Sequence, residues 1–544
     1  MTSQSAAHRY TAWRDHREPY LRRARDASRL TIPTLVPPLG YNNTSDLPTP
    51  FQGLGAQGVN NLASKLLVSL WPPTSPWFRL VPTDPEALRA AGPTVQTEVE
   101  EGLTRMERVV ASEFELMALR PRLFELLKHL LVSGNAVLQL QPDGTNRVLG
   151  LEQYVCRRDP MGMLECLIIR EDLDLDSLSP ELRALVGAGP DVSDPLPSFA
   201  SESLERRRGR IDTKSVALHT CVEWDADAKV YLLHQEIAGR RVPDAVGRYK
   251  PHLLPIRVLR YTAVDGEDYG RGMVEELLGD LVSLEGLMRA IVEGAAIASR
   301  CIGLVDPAGA ATADDLNRAG NGAYIVGRPT DVTYPVMNKN GDLQVAFSAI
   351  QRIEDRLQRA FLLNTAVQRQ AERVTAEEIR YVAQELEAAL GGVFSVLSQE
   401  LQLPLVQVLM DRLQRQGKIK KLPDRAVRPA IVTGVEALGR GHDMGRLQIA
   451  IQSAQTLVGP EALTSHLVVR EALGRIFTAA GVDTTGLLRT EDEVAQATRQ
   501  AQMVEMAQRL GPSVIKEAGP GVVERLGLAP GGQQNQEPPP PAAP

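Results

Sequence analysis

The pattern of apolar and polar positions divides the chain into two parts with different periods. Up to about residue 272, short alternating runs typical of β-strands are mixed with helices, and turn-forming pairs such as Asp143-Gly144 separate some of the strands. The predicted strands cover residues 136–141, 147–151, 164–170, 216–223, 230–236 and 255–261. Helices are predicted near residues 59–70, 94–118 and 121–132. Residues 1–272 are therefore predicted to form an α+β region.

From Met273 the apolar residues recur every three or four positions, which predicts one long helix over residues 273–300. At 1.5 Å per residue this helix would be about 42 Å long. A turn-rich segment, residues 301–347, is predicted to be a small β-rich insert, and residues 348–363 a return helix. This order predicts a two-helix stalk that carries the insert at its far end. The polar positions of the first helix are mostly acidic: Glu275, Glu276, Asp280, Glu285 and Glu293.

The remainder of the chain is predicted to be mainly helical. Residues 364–374 are polar and aperiodic, and Thr375 begins a long helix with a capping box that Glu378 completes. That helix is expected to run to about residue 416 with kinks at Gly391-Gly392 and Pro404. Residues 417–527 are predicted to be helical with short breaks, and the Pro- and Gln-rich residues 528–544 to be disordered.

Composition and charge exclude several classes of protein. The 544 residues are 43% hydrophobic and 23% charged, as in an ordinary soluble globular protein, and the net charge of −7 argues against a surface that grips nucleic acid throughout. No run approaches 18 apolar residues, so no membrane span is expected. The four scattered cysteines favour a reducing compartment. Residues 8–30 are rich in arginine, which favours an amphipathic helix over a nucleic-acid contact.

One glycine motif raises the possibility of a cofactor. Residues 53–58, Gly-Leu-Gly-Ala-Gln-Gly, match the dinucleotide fingerprint and precede a helix. The fingerprint needs a strand immediately before it, whereas residues 46–52 make a poor strand and no βαβ unit follows. Tight packing of the glycines is therefore the favoured interpretation, and a dinucleotide-dependent enzyme is the alternative.

Other patterns give no support for catalysis or for a bound metal. Asp172, Asp174 and Asp176 resemble the start of a calcium loop, but Ser177 replaces the turn glycine and Arg183 occupies the twelfth position. The chain has no Gly-x-x-x-x-Gly-Lys-Ser/Thr sequence and no zinc-ligand spacing. The sequence therefore predicts a protein that is not an enzyme, with no cofactor and no metal.

Four segments of this sequence resemble a known family. They read PFQGLGAQGVNNLASKLLVSLWP from Pro50, EDYGRGMVEELLGDLVSLEGL from Glu267, IGLVDPAG from Ile302, and LNTAVQRQAERVTAEEIRYVAQELEAALGGVFSVLSQELQLPLV from Leu363. They look like the head-to-tail connector, or portal, proteins of short-tailed bacteriophages of the T-seven type. The similarity extends from about residue 10 to about residue 490.

The resemblance implies a fold and an assembly. It implies a ring, typically of twelve subunits, at one capsid vertex, with an α/β wing (1–272), a stem (273–300 and 348–363), a clip (301–347) and a helical crown (417–527). The channel loop would be residues 364–374, and residues 375–416 would form the long kinked helix that leads to the crown. The loop residues expected to touch DNA are Asn364, Gln368, Arg369, Gln370 and Arg373. The acidic residues of the stem are expected to discourage tight phosphate contacts.

The resemblance also implies a function, a location and partners. DNA would be packaged and ejected through the ring, and ATP hydrolysis would come from a separate terminase motor. The implied partners are other copies of the chain, double-stranded DNA, the terminase large subunit, the major capsid and scaffolding proteins, internal core proteins, and tail adaptor or tubular proteins, with no membrane. The protein would be assembled in the host cytoplasm and reside in the virion. A tail or adaptor ring with no packaging role is the alternative within this class.

Overall fold

The described part of the chain mixes helices and strands, which confirms the predicted fold class at this coarse level. The computed structural model describes residues 5–41, 45–73, 76–84, 86, 93–141, 143–175, 178–187, 215–298, 304–333, 340–363, 392–420 and 427–431. All of them belong to one compact unit, Met1–Leu438, and the second unit, Gly439–Pro544, lies outside them.

The helices among these residues are α1 (Ala6–Arg29), α2 (Leu54–Leu70), α3 (Pro93–Leu116), α4 (Leu119–Ser133), α5 (Pro180–Gly187), α6 (Met273–Glu276), α7 (Leu278–Ala298), α8 (Ala313–Arg318), α9 (Asn340–Ala360) and α10 (Gly392–Arg415). The strands are β1 (Phe78–Pro82), β2 (Asn135–Leu140), β3 (Asn146–Leu149), β4 (Tyr154–Arg158), β5 (Leu164–Asp174), β6 (Ser215–Asp225), β7 (Val230–Ile237), β8 (Arg240–Tyr249), β9 (Ile256–Arg260), β10 (Leu304–Val305), β11 (Val332–Thr333) and β12 (Val427–Ile431).

Apart from β1, the strands of the first half form two antiparallel sheets. One has the order β4-β5-β6-β7-β8 and the other the order β3-β2-β9. The alternating runs in the sequence predicted all the strands of these sheets except β4 and β8. Asp172 lies within β5, where Arg170 donates to its carboxylate at 3.1 Å, and Asp174 ends the same strand. Extended strand geometry and this arginine explain Asp172 without a calcium loop.

Helix α1 packs against the five-stranded sheet, and its arginines make polar contacts that hold it in place. The buried Arg17 donates to the carbonyls of Glu152 and Tyr154 at 2.8 and 2.7 Å, Arg9 pairs with Glu223, and Arg23 pairs with Glu275. These contacts confirm that the arginine-rich segment is an amphipathic helix.

Helix α2 explains the glycine motif by packing. A Cβ on Gly55 would lie 2.5 Å from the Leu30 carbonyl oxygen, and a Cβ on Gly58 would lie 2.4 Å from the buried ring of Phe361. The residues before the helix form no described strand, so the geometry of a dinucleotide fingerprint is not met. The glycines allow α2 to approach the end of α1 and the end of α9.

Helix α10 belongs to the main core. It is long and apolar enough by composition to cross a membrane, but its buried face contributes Leu397, Leu401, Leu405, Leu409 and Leu413 to the same cluster as α2 and α4. A core helix of this kind passes the same compositional test. The helix contains a π-helical turn at Ser398–Gln402, two residues before Pro404. The kink expected at Pro404 stays a prediction.

The stalk differs from the sequence prediction at three points. The predicted single helix is interrupted at Leu277, because α6 is held against the chain at Gly272, where a Cβ would lie 2.8 Å from the Val132 carbonyl. The return helix begins at Asn340 rather than at residue 348. The described part of the insert contains only two strands, β10 and β11, of two residues each, beside the short helix α8.

Strand β12 was not predicted. It lies within residues 417–527, which were expected to be helical, and it pairs antiparallel with β1 from Phe78 opposite Ile431 to Pro82 opposite Val427. Val427 and Ile431 pack against the main core. The strand conformation of this segment is therefore stabilised by burial of its apolar residues against a part of the chain that is distant in sequence. The other proposed domain limits stay predictions.

Candidate functional site: a helical stalk with exposed apolar side chains

The stalk, α7 and α9 with the intervening insert, is anchored at its base and uncovered farther along. Leu281 and Leu284 of α7 and Ile350 and Leu357 of α9 are buried in the main core. Arg356 of α9 also pairs with Asp280 of α7. The two helices therefore leave the core as a pair whose base is fixed by apolar contacts and an ion pair.

Beyond the base, large apolar side chains face solvent. Of the 18 large hydrophobic residues that are exposed in the described chain, nine lie on the stalk: Val282, Val292, Ile297, Leu304, Tyr324, Ile325, Val326, Val345 and Phe347. Tyr324 is completely exposed and Val326 is 84% exposed. Half of the large hydrophobic residues that are exposed in the described chain therefore belong to the stalk.

The insert is organised by one carboxylate, which the sequence did not indicate. Asp331 is 4% exposed and accepts hydrogen bonds from the N–H groups of Arg328 at 2.9 Å, Ala310 at 3.0 Å and Ala311 at 3.4 Å. These donors, with Arg328 first, hold the pKa of the Asp331 carboxyl below its usual range. Ala311 is the only buried hydrophobic residue in the described part of the insert, so hydrogen bonds carry more of its order than apolar packing.

Of the predicted acidic stem residues, Asp280, Glu285 and Glu293 lie on α7, whereas Glu275 and Glu276 lie on the separate turn α6. Four of the five have partners in the same chain. Glu275 pairs with Arg271 at 2.7 Å and with Arg23, Asp280 with Arg356, and Glu293 with Arg289 at 2.8 Å. Glu285 accepts the N–H groups of Phe51 and Gln52 at 3.0 and 3.2 Å. Glu276 is exposed. These contacts reduce the negative field that the sequence alone suggested, because each paired charge is partly compensated.

The predicted channel loop, with Asn364, Gln368, Arg369, Gln370 and Arg373, lies outside the described residues. The structure does describe the point where the chain leaves α9 toward that loop. Asn61 and Lys65 of α2 donate to the carbonyls of Phe361 and Leu362 there. Sequence reasoning missed both donors, and their spacing from Gly58 on one helix face was the available signal.

The titratable core groups are consistent with structural roles. Burial lowers the pKa of His129 and of His219 to about 4. Burial raises the pKa of the Cys156 and Cys166 thiols to about 12. Reactive cysteines need the thiolate form, which these environments disfavour. Among the described residues, no three His, Cys, Asp or Glu side chains are grouped so that they could hold a metal ion.

The comparisons with known proteins agree on one family. A family model described as bacteriophage head to tail connecting protein matches residues 3–488. The portal protein of Escherichia phage T7 is 38% identical over 96% of this chain and 97% of its own length. The portal protein of Enterobacteria phage T3 is 38% identical over 94% of this chain and 92% of its own, and that of Pseudomonas phage phiKMV is 30% identical over 91% and 94%.

The similarity to solved structures is more distant. A chain from the neck of an empty GTA particle, computed with C6 symmetry, covers 76% of this chain and 89% of its own length at 14% identity, with a TM-score of 0.35. A TM-score this low does not show that the two chains share a fold.

Proposed function

We propose, from the premise that this chain belongs to the family of bacteriophage head-to-tail connecting proteins and has a portal function, that twelve copies assemble into a ring that forms the DNA channel at one capsid vertex. DNA enters the capsid through this ring during packaging and leaves through it on ejection. The clip docks the terminase large subunit and later the tail adaptor and tubular proteins. The wing and crown face the capsid, scaffolding and internal core proteins.

The exposed apolar surface of the stalk is the observation that carries the ring assembly. A neighbouring copy would cover these side chains, and burying a large apolar side chain contributes about 1.5–3 kcal/mol. A head-to-tail contact repeated by rotation closes a ring, so one such surface serves every subunit. These nine exposed side chains are spread over α7, the insert and α9, so the contact with a neighbour would run along the whole stalk.

The path of the DNA is assigned to two parts of the chain. The loop residues Asn364, Gln368, Arg369, Gln370 and Arg373 meet the DNA phosphates weakly, while the acidic stem limits further phosphate contacts. Glu276 and Glu293 are the exposed members of the acidic set. Glu293 is paired with Arg289, so Glu276 contributes most to this effect. The chain itself acts as a structural conduit and does not hydrolyse ATP. Assembly takes place in the host cytoplasm, and the finished ring stays in the virion.

The ring is tested by removing apolar surface from the stalk. The double variant Val345→Ser with Phe347→Ser changes two exposed positions of α9, and Met161→Ser is the control because this exposed methionine lies in a turn of the wing. In native mass measurement and negative-stain microscopy, the parent and the control should form rings near twelve subunits, and the double variant should stay mostly monomeric. A parent protein that remains monomeric or dimeric at micromolar concentration would refute the ring. A double variant that assembles like the parent would remove the stalk as the interface.

The channel loop is tested in assembled rings. Replacing Arg369 and Arg373 with alanine should leave the ring intact and alter the packaging yield or the retention of DNA in filled heads. The control replaces Arg122 and Arg415, two exposed arginines outside the predicted loop, and removes the same charge. Equal packaging and retention in both double variants and the parent would show that the loop arginines have no such role.

The alternative of a tail or adaptor ring has no support in the comparisons, since the relatives named above are portal proteins.

A further inference from the structure

The end of the return helix α9 has an unusual backbone conformation. Leu362 has a φ of +54°, a left-handed conformation that glycine normally occupies at this position of a helix end. The N–H of Leu363 donates to the carbonyl of Gln358 at 2.8 Å, and the N–H of Leu362 donates to that of Arg359 at 3.1 Å. These two bonds form a Schellman motif, which here is built with leucine in place of glycine.

Helix α2 holds this helix end from outside. Lys65 donates from Nζ to the Leu362 carbonyl at 2.6 Å, and Asn61 donates from Nδ2 to the carbonyls of Phe361 and Leu362 at 3.2 Å each. The ring of Phe361 is fully buried against Gly58. Gly58, Asn61 and Lys65 lie at positions i, i+3 and i+7, so they share one face of α2.

An ordinary helix end does not need this arrangement. The Schellman bonds already satisfy carbonyls within the last turn, whereas Asn61 and Lys65 bind the two carbonyls that follow the helix. A strained residue persists when its surroundings over-determine its conformation, and such residues concentrate at functional positions. The direction in which the chain leaves α9 is therefore fixed by a second element, far away in the sequence.

We propose that Asn61 and Lys65 are positioning residues that set the direction in which each subunit delivers its chain from α9 toward the DNA. This inference rests on the proposed function of residues 364–374. In each of the twelve subunits, these two side chains fix the position at which the loop segment begins. All the loops therefore start from equivalent positions, and the ring contacts the double helix evenly.

The test uses assembled rings of the full chain and four variants. Asn61→Ala and Lys65→Met remove the donors, Lys65→Arg keeps a cationic donor, and Asn60→Ala is the matched control, since the structure describes no hydrogen bond from Asn60 to residues 361–363. Hydrogen exchange of the Leu362 and Leu363 amides should be about tenfold faster in Asn61→Ala and in Lys65→Met. Each variant loses hydrogen bonds that stabilise the folded end of α9 against local opening. It should be near the parent rate in Lys65→Arg and in Asn60→Ala.

The second readout is DNA retention in heads that contain each variant. Retention should change in Asn61→Ala and in Lys65→Met, and Lys65→Arg should restore it. Unchanged amide exchange in both donor variants would overturn the proposal, and so would faster exchange with normal retention. The Arg369→Ala, Arg373→Ala variant separates the two ideas. If it alters retention while the donor variants do not, the positioning role is wrong and the loop stands; if none of them alters retention, the role of the loop is wrong as well.

Discussion

Substitution of Gly58 by alanine tests the packing explanation of the glycine motif. The added Cβ would lie 2.4 Å from Cγ of Phe361, whose fully buried ring has no room to swing away. Overpacking of a core costs typically 1–3 kcal/mol, and contact with a fixed ring puts Gly58→Ala near the upper value. The gain in helix propensity offsets about 1 kcal/mol. We expect a net loss of about 2 kcal/mol of stability.

Two other glycines serve as controls, because their replacement by alanine should change the stability much less or in the opposite direction. Gly102 lies in helix α3 with nothing within 4 Å of its added Cβ, so Gly102→Ala should stabilise by up to about 1 kcal/mol. Gly53 has only the Gln57 side chain at 3.7 Å, so Gly53→Ala should cost less than about 1 kcal/mol. The dinucleotide fingerprint would instead make Gly53→Ala strongly destabilising as well, because its first glycine makes the tight turn.

The assay is urea denaturation at one fixed protein concentration, followed by circular dichroism and by ring dissociation. A fixed concentration matters because assembly adds to the apparent stability. The expected order of midpoints is Gly102→Ala, then parent, then Gly53→Ala, then Gly58→Ala. If Gly53→Ala were the least stable variant, or if Gly58→Ala equalled the parent, the packing explanation would be refuted.

Three further changes have expected outcomes. Arg17→Met should destabilise the wing by about 1–3 kcal/mol in thermal melting, because the Glu152 and Tyr154 carbonyls lose a buried donor; an unchanged melt would contradict this. Burial lowers the pKa of His129 to about 4, so between pH 6.5 and pH 4 the unfolded chain binds a proton that the folded chain does not. As the pH is lowered through this range, the free energy of unfolding should fall by a few kcal/mol, and it should fall less in His129→Gln. Because the pKa of Asp331 is depressed, its carboxylate stabilises the insert at neutral pH, and this stabilisation is lost in acid below about pH 4. Proteolysis of the insert should therefore increase in acid in the parent, whereas Asp331→Asn should be cleaved readily at every pH.

The sequence predicted features that depend on neighbours along the chain. Apolar and alternating runs located β2 and β7 to within one residue at each end and β6 to within two, because the pattern that decides these strands lies in their own residues. The three- and four-residue period indicated the first stalk helix but not its interruption at Leu277. The turn-rich pattern of residues 301–347 predicted no helix there, yet α9 already begins at Asn340.

Features that depend on distant partners were not predictable. Nothing local in residues 427–431 indicates that β1 will pair with them. Leu277 interrupts an unbroken apolar period because the preceding turn is docked at Gly272. Asp331 looks like an ordinary surface acid until the fold brings Ala310 and Ala311 to it. In the candidate site, the acidic residues are visible in the sequence, and their role stays a prediction. The exposed run Tyr324–Val326 was not predicted, because its apolar character suggested strands of a β-rich insert, whereas it lies outside the strands and faces solvent.

The pairing of β1 with β12 also sets an order of events during synthesis. About 350 residues separate the two strands, and at about 5–20 residues per second a ribosome needs roughly 20–70 s to make them. During that interval the nascent chain has already produced its stalk, but Phe78 and Leu80 have no strand to pair with. A long loop must then close before the pairing is gained, which slows this step relative to local helix formation. The chain therefore completes its fold late, after the surface that we assign to self-association has been made, so unfinished chains expose that surface before β1 and β12 can pair.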